Sequence, residues 1–396
     1  MTAPGSASDA IVRDFQAQAL PAWRRAVLKV GSSLLAGFGD GADAALDARH
    51  ARALARFIAR SRAQDREVVL VSSGAVAAGR GRIGAGGDGL VLRQALASLG
   101  QASLMSFWQG LVDVPVAQVL LTHDDLRNRR RYLNARATLR ELLRLGALPI
   151  INENDAVAVD ELKLGDNDNL AAAVASLVDA DLLLIATDIG GLYSAHPQRD
   201  PAARPIARVE HVTPELLQAA GGGAGMLGTG GMRTKLEAAA KAGAAGIVTG
   251  LFCGRDEAVV DALGEGRLHG TQVLAQGDRL RARKQWLRHA PSSGRLLVDE
   301  GAAAALHRQG ASLLPGGVVA VEGDFRRGDA VDIVAPDATP IARGLAQYSA
   351  VEIGRIARRH SNDIEAVLGF RYGESVVHRD DMVLLAAFPS CPEATP

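Results

Sequence analysis

Short apolar runs alternate with helix-period patterns through the first three-quarters of this 396-residue chain, and that alternation constrains its fold more than any other feature. Residues 26–30, 68–71, 116–120, 148–151, 182–186 and 246–248 read as buried strands. Between them, 48–62, 93–112, 122–145 and 170–178 carry helical spacing. The Arg-rich 122–145 helix opens on Thr122 with Asp125 three residues on, a capping-box pattern, and Pro214 after Thr213 marks another helix start. Strands alternating with helices pair in parallel, so the expected class is α/β, an open mainly parallel sheet sandwiched by helices.

The pattern changes near 277–293. An Arg-rich stretch (Arg279, Arg281, Arg283, Arg288) and Pro291-Ser292-Ser293-Gly294 lead into short β-like runs at 296–298, 318–321, 330–334 and 341–342. The expected division is a loosely attached extension (1–22), an α/β domain (23–280), a linker (281–292), a small β-rich domain (293–375) and a C-terminal tail (376–396).

Composition narrows the function. Formal net charge is zero, so no global attraction to nucleic acid or membrane is implied. Two cysteines, Cys253 and Cys391, support neither a disulfide framework nor a zinc site and suit a reducing cytoplasm. No eighteen-residue apolar run occurs, and Arg13 and Asp14 interrupt the N-terminal segment, so neither a membrane span nor a signal peptide is expected. Arginine outnumbers lysine 39 to five, which makes each of Lys29, Lys163, Lys235, Lys241 and Lys284 a better candidate for a specific role than a surface lysine usually is.

The segment 151–169 gathers six carboxylates (Glu153, Asp155, Asp160, Glu161, Asp166, Asp168), four asparagines and Lys163. Helix capping explains one aspartate there, but not the whole group. The spacing is not that of an EF-hand, because Leu170 stands where an oxygen ligand is needed. No Walker A sequence exists, and the two G-x-G-x-x-G matches at 79–84 and 84–89 follow a helix rather than a strand, so they read as loop glycines. A better phosphate cradle is Gly228 to Lys235, glycines set directly before a helical pattern whose exposed amides attract anions. Lys29 ends a strand before Gly31-Ser32-Ser33, and Ser72-Ser73-Gly74 repeats that arrangement. In open α/β sheets ligands bind outside the carboxyl ends of the strands.

Taken in order, Lys29 to Ser33, Ser72 to Gly79, Tyr132 to Ala135, 151–158, 165–170, Thr187-Asp188 and 228–235 resemble the amino acid kinase family. The likeness is to those members that phosphorylate the γ-carboxylate of glutamate, the first step of proline biosynthesis. The stretch 310–318 and His378 to Met382 resemble the PUA domain appended to them, so the likeness runs from about 23 to 382. The resemblance implies ATP contacts at Lys29, Thr187, Asp188, Thr229, Gly230, Gly231, Met232, Arg233, Thr234 and Lys235, and glutamate contacts at Ser73, Asp155 and Asn167. It assigns catalytic roles to Lys29, Lys235, Asp166 and Asp168, with Mg²⁺ accompanying ATP and no protein residue named as its ligand. It also implies a homo-oligomer, dimer or tetramer, and feedback inhibition by proline. His196-Pro197 departs from the usual Asp-Pro, and Asp188-Ile189-Gly190-Gly191 is unusual around the second ATP segment.

Two other readings compete. A related small-molecule kinase would share the ATP features but not the 151–169 pattern. RNA binding through the PUA-like part meets a charge obstacle, because 293–396 holds ten arginines, no lysine and fourteen acids, a formal balance of minus four.

Overall fold

The computed structural model of the chain describes residues 15–36, 46–83, 87, 89–157, 167–195, 197, 200, 202–220, 231–277, 287–288 and 290–385. It divides into two compact units, Met1–Arg279 and Leu280–Pro396.

In the first unit the strands are β1 (Gln18–Ala19), β2 (Arg25–Val30), β3 (Glu67–Ser72), β4 (Val116–Leu121), β5 (Leu148–Glu153), β6 (Leu182–Thr187), β7 (Leu192–Tyr193), β8 (Pro205–Ile206), β9 (Arg208–Val209), β10 (Val248–Cys253), β11 (Arg267–Leu268) and β12 (Gly270–Val273). The helices are α1 (Ala48–Arg62), α2 (Ala75–Ile83), α3 (Leu90–Gln109), α4 (His123–Arg127), α5 (Arg129–Arg144), α6 (Asn167–Leu177), α7 (Pro214–Ala220), α8 (Met232–Ala244) and α9 (Glu257–Gly264). Eight strands form one sheet in the order β4-β5-β3-β2-β6-β10-β12-β9, and every neighbouring pair is parallel except β10 with β12. The expected α/β class is therefore the observed one.

The apolar runs are buried because helices cover both faces of the sheet. One core layer joins Leu28, Leu70, Ile150 and Leu184 to Leu54, Phe57 and Ile58 of α1 and to Trp108 of α3. The other joins Val27, Val69, Ile151 and Ile185 to Leu170, Val174, Leu236 and Ala239 of α6 and α8. Alternate residues of a strand point to opposite faces, so Val27 and Leu28 belong to different layers.

Three expectations are corrected by the structure. The single helix over 122–145 is two helices, because Asn128 is extended (φ −74°, ψ 114°) and its side chain accepts from the Arg131 amide to start α5. Gly79 is not a loop residue but lies inside α2, where α3 crosses it closely. A Cβ on Gly79 would stand 2.0 Å from the Leu96 carbonyl oxygen, and one on Gly100 only 1.8 Å from that of Ala75. The strand expected at 246–248 begins at Val248 instead, after a turn at Gly246 (φ 76°).

The segment expected to be loosely attached is held from Phe15 onward. Phe15 is buried, β1 pairs antiparallel with β11, and Gln18 Nε2 donates to the carbonyls of Ala207 and Gly270 at 2.9 Å each. The Phe15 ring meets Tyr193 edge-on at 5.2 Å, and a Cβ on Gly190 would stand 2.9 Å from it. Residues 1–14 lie outside the described residues.

The second unit is a five-stranded sheet of β13 (Arg295–Val298), β14 (Val318–Glu322), β15 (Ala330–Val334), β16 (Pro340–Ala346) and β17 (Val377–Leu384), ordered β14-β13-β15-β16-β17. Its helices are α10 (Glu300–Gln309), α11 (Ala350–Ile356) and α12 (Ile364–Leu368). Residues 376–385 are not a tail, since β17 pairs antiparallel with β16 and buries Val377 and Met382. Its polar middle, His378 to Asp381, conceals the strand in the sequence.

Candidate active site

The parallel strands β2, β3, β5 and β6 end side by side, and the chain reverses its direction of sheet growth at β2, adding β3 on one side and β6 on the other. A crevice at such a switch point is where open α/β sheets bind ligands. Buried polar side chains concentrate there: Lys29 on β2, Asn152 and Glu153 on β5, Thr187 on β6, Asn167, Asp168 and Asn169 in the first turn of α6, and Lys235 in the first turn of α8.

Asp168 is the centre of this group and is 0% exposed. Lys29 Nζ lies 2.6 Å from its Oδ1, Lys235 Nζ lies 3.2 Å from its Oδ2, and the Thr234 hydroxyl donates to Oδ2 at 2.8 Å. Burial pushes the Asp168 pKa up. The ammonium groups of Lys29 and then Lys235, with hydrogen bonds from Lys29 and Thr234, outweigh burial and hold it well below the usual carboxylate range. One buried carboxylate thus fixes two cations that come from distant parts of the sequence.

Three elements deliver these groups. Residues 25–30 form a strand whose last positions carry Lys29 to the sheet's carboxyl edge, and Gly31 beyond it opens a single turn, Ser32–Leu34. Helix α6 is almost entirely buried and presents its amino end, so Asn167 and Asp168 sit where the helix dipole favours negative charge. Gly231 caps α8 without a side-chain hydrogen bond, leaving Met232 to Lys235 as a first turn whose amides have no side-chain cap.

The Asn167 amide donates to Ser73 Oγ at 2.6 Å and to Asn152 Oδ1 at 3.0 Å, joining two of the residues expected to hold glutamate. Asp155 follows β5, half-buried, in a turn. At the end of β6 the Thr187 hydroxyl donates to Asp188 Oδ1 at 3.3 Å, and Asp188 is exposed. Arg233 pairs with Glu237 along α8 rather than joining the lysine–aspartate cluster. Asp166, Thr229 and Gly230, together with Lys163, lie outside the described residues. Sequence reasoning missed Asn152 and Gln101. Asn152 is hidden by the richness of the segment around it, and Gln101 by the apolar helix that carries it.

Among the described residues no group of three or more His, Cys, Asp or Glu side chains could hold a metal ion. Both Asp168 oxygens are already engaged by cations.

The chain belongs to the amino acid kinase family, whose profile it matches over residues 24–251. Residues 294–368 match the PUA domain. Two proteins named glutamate 5-kinase illustrate the closeness of the likeness. That of Xanthomonas oryzae pv. oryzae (strain KACC10331 / KXO85) is 64% identical over 366 residues, covering 91% of this chain and 100% of that protein. That of Xylella fastidiosa (strain 9a5c) is 60% identical over 379 residues, covering 94% of this chain and 98% of that protein.

Proposed function

We propose that the chain transfers the γ-phosphoryl group of ATP to the γ-carboxylate of L-glutamate, giving γ-glutamyl phosphate and ADP, the step that opens proline biosynthesis. The observation that carries this reading is Asp168, wholly buried between Lys29 and Lys235 at the carboxyl edge of the sheet. Near-complete coverage of relatives named glutamate 5-kinase supports the choice of acceptor.

The nucleophile needs no general base, because a glutamate side-chain carboxyl, which ordinarily titrates at about pH 4.3, is ionised near neutral pH. Catalysis then rests on alignment and on cations placed where charge spreads over the transferring oxygens. Lys29 and Lys235 supply that charge, and Asp168 holds both ammoniums in place so that neither must reorganise during transfer. Ser73, Asp155 and Asn167 hold glutamate. Thr187, Asp188 and the segment 229–235, with its lysine and first-turn amides, hold ATP. Magnesium bound with ATP would supply further charge neutralisation, beside the lysines that Asp168 holds.

The product is an acyl phosphate, which hydroxylamine converts to a hydroxamate. Formation of γ-glutamyl hydroxamate that depends on ATP and L-glutamate is the expected outcome; ADP release without any trapped hydroxamate would mean a different acceptor. We read the enzyme as a cytoplasmic homo-oligomer, which sedimentation of the full chain tests.

A further inference from the structure

A line of buried amides leads away from the proposed glutamate contacts and ends on a residue without an assigned role. Gln101, on α3, is 7% exposed although its helix is otherwise largely apolar. Its Oε1 accepts from Asn152 Nδ2 at 3.1 Å, and Asn152 Oδ1 in turn accepts from Asn167 Nδ2 at 3.0 Å. Asn167 Nδ2 also donates to Ser73 Oγ. Four elements (α3, β5, α6 and the residue after β3) are thereby joined in one chain of hydrogen bonds.

A carboxamide has its acceptor on one arm and its donors on the other, so the orientation of one amide fixes the next. With an acceptor at Gln101, Asn152 turns its nitrogen toward α3 and its oxygen toward Asn167. Asn167 then commits its nitrogen to Asn152 and Ser73. Its own Oδ1 is left buried without a hydrogen-bond partner among the described residues. A buried acceptor without a donor is costly, and a ligand's donor placed against it would remove that cost. Glutamate carries one donor, its α-ammonium group.

We infer that Gln101 is a positioning residue, whose acceptor sets the direction of this amide relay so that Asn167 presents Oδ1 to the substrate's α-ammonium group. The inference rests on reading Asn167 as a glutamate contact. Gln101 Nε2 makes no hydrogen bond among the described residues, so a side chain that only accepts serves equally well at this position.

Steady-state kinetics on the full chain test it with Gln101→Met, Gln101→Glu and Asn167→Ala. Gln101→Met fills similar volume but accepts no strong hydrogen bond. It is expected to raise KM for glutamate roughly tenfold, the scale of one well-made hydrogen bond, while KM for ATP and the melting temperature stay near wild type. Gln101→Glu is expected to keep KM for glutamate within about threefold of wild type, because the carboxylate still accepts from Asn152. An unchanged KM for glutamate in Gln101→Met overturns the relay. So does an equal loss in both Gln101 variants accompanied by a lower melting temperature, which is the signature of packing alone. If Asn167→Ala raises KM for glutamate but Gln101→Met does not, only the relay fails. If Asn167→Ala leaves that KM unchanged, the reading of Asn167 fails and takes the relay with it.

Discussion

Lys29 and Lys235 share a carboxylate that no solvent reaches, and the proposed chemistry at residue scale rests on that arrangement. Removing either lysine leaves Asp168 paired with the other, so Lys29→Ala or Lys235→Ala is expected to lower kcat by about 10²–10³, the cost of one preorganised stabilising group. Melting temperature should change little, and kcat measured beside a thermal scan checks both. Removing the carboxylate is different. Asp168→Ala leaves two buried ammoniums facing each other, with an expected cost of about 3–5 kcal/mol, read from urea midpoints. The pH dependence has a definite sign. The folded-state pKa of Asp168 lies below its unfolded value, so the stabilisation is fully present above about pH 4 and is lost only as pH falls below that range. The gap in stability between wild type and Asp168→Asn should therefore be constant from neutral pH down to about 5 and shrink only under stronger acid. Lys29, Asp168 and Lys235 were legible in the sequence because charged residues at strand ends and helix starts stand out. Gln101 was not, since a glutamine inside an apolar helix gives no local sign that its partner lies on another element.

At the scale of elements, helix pairing and strand docking explain what the pattern alone could not. Alternating apolar runs located most core strands to within a residue or two, because burial on both faces demands continuous hydrophobicity. The break at Asn128 was hidden by uninterrupted helical spacing on either side; its extended backbone and its side-chain hydrogen bond mark the split of α4 from α5. Gly79 looked like a loop glycine because close approach of two helices leaves no periodic signature. Gly100→Ala would drive a methyl to 1.8 Å from the Ala75 carbonyl, so the helices must part. A loss of about 1–3 kcal/mol in urea unfolding is expected, and a neutral result would mean that α2 and α3 yield easily. The N-terminal segment is the second case. Phe15 packs on Gly190 and Tyr193, just beyond the proposed ATP residues Thr187 and Asp188. Phe15→Ala is expected to cost about 3 kcal/mol or more and to raise KM for ATP more than KM for glutamate. Equal changes in the two constants would separate that segment from the nucleotide side.

For the whole molecule, an eight-stranded α/β unit carries the proposed chemistry, and a separate five-stranded unit follows it. The division was readable from the shift to short β-like runs after Gly294, whereas the last strand was not, because His378 to Asp381 interrupt its apolar pattern. No described helix is long and apolar enough to cross a membrane. The central claim is that this site moves phosphate from ATP to the γ-carboxylate of glutamate. The most direct measurement is ADP release by the full chain with magnesium and ATP, comparing L-glutamate with aspartate, N-acetylglutamate, carbamate and UMP. Release with L-glutamate at least about a hundredfold above every other acceptor is the expected result, a difference of roughly 2.7 kcal/mol in transition-state binding. Equal or greater release with any of the others would contradict it.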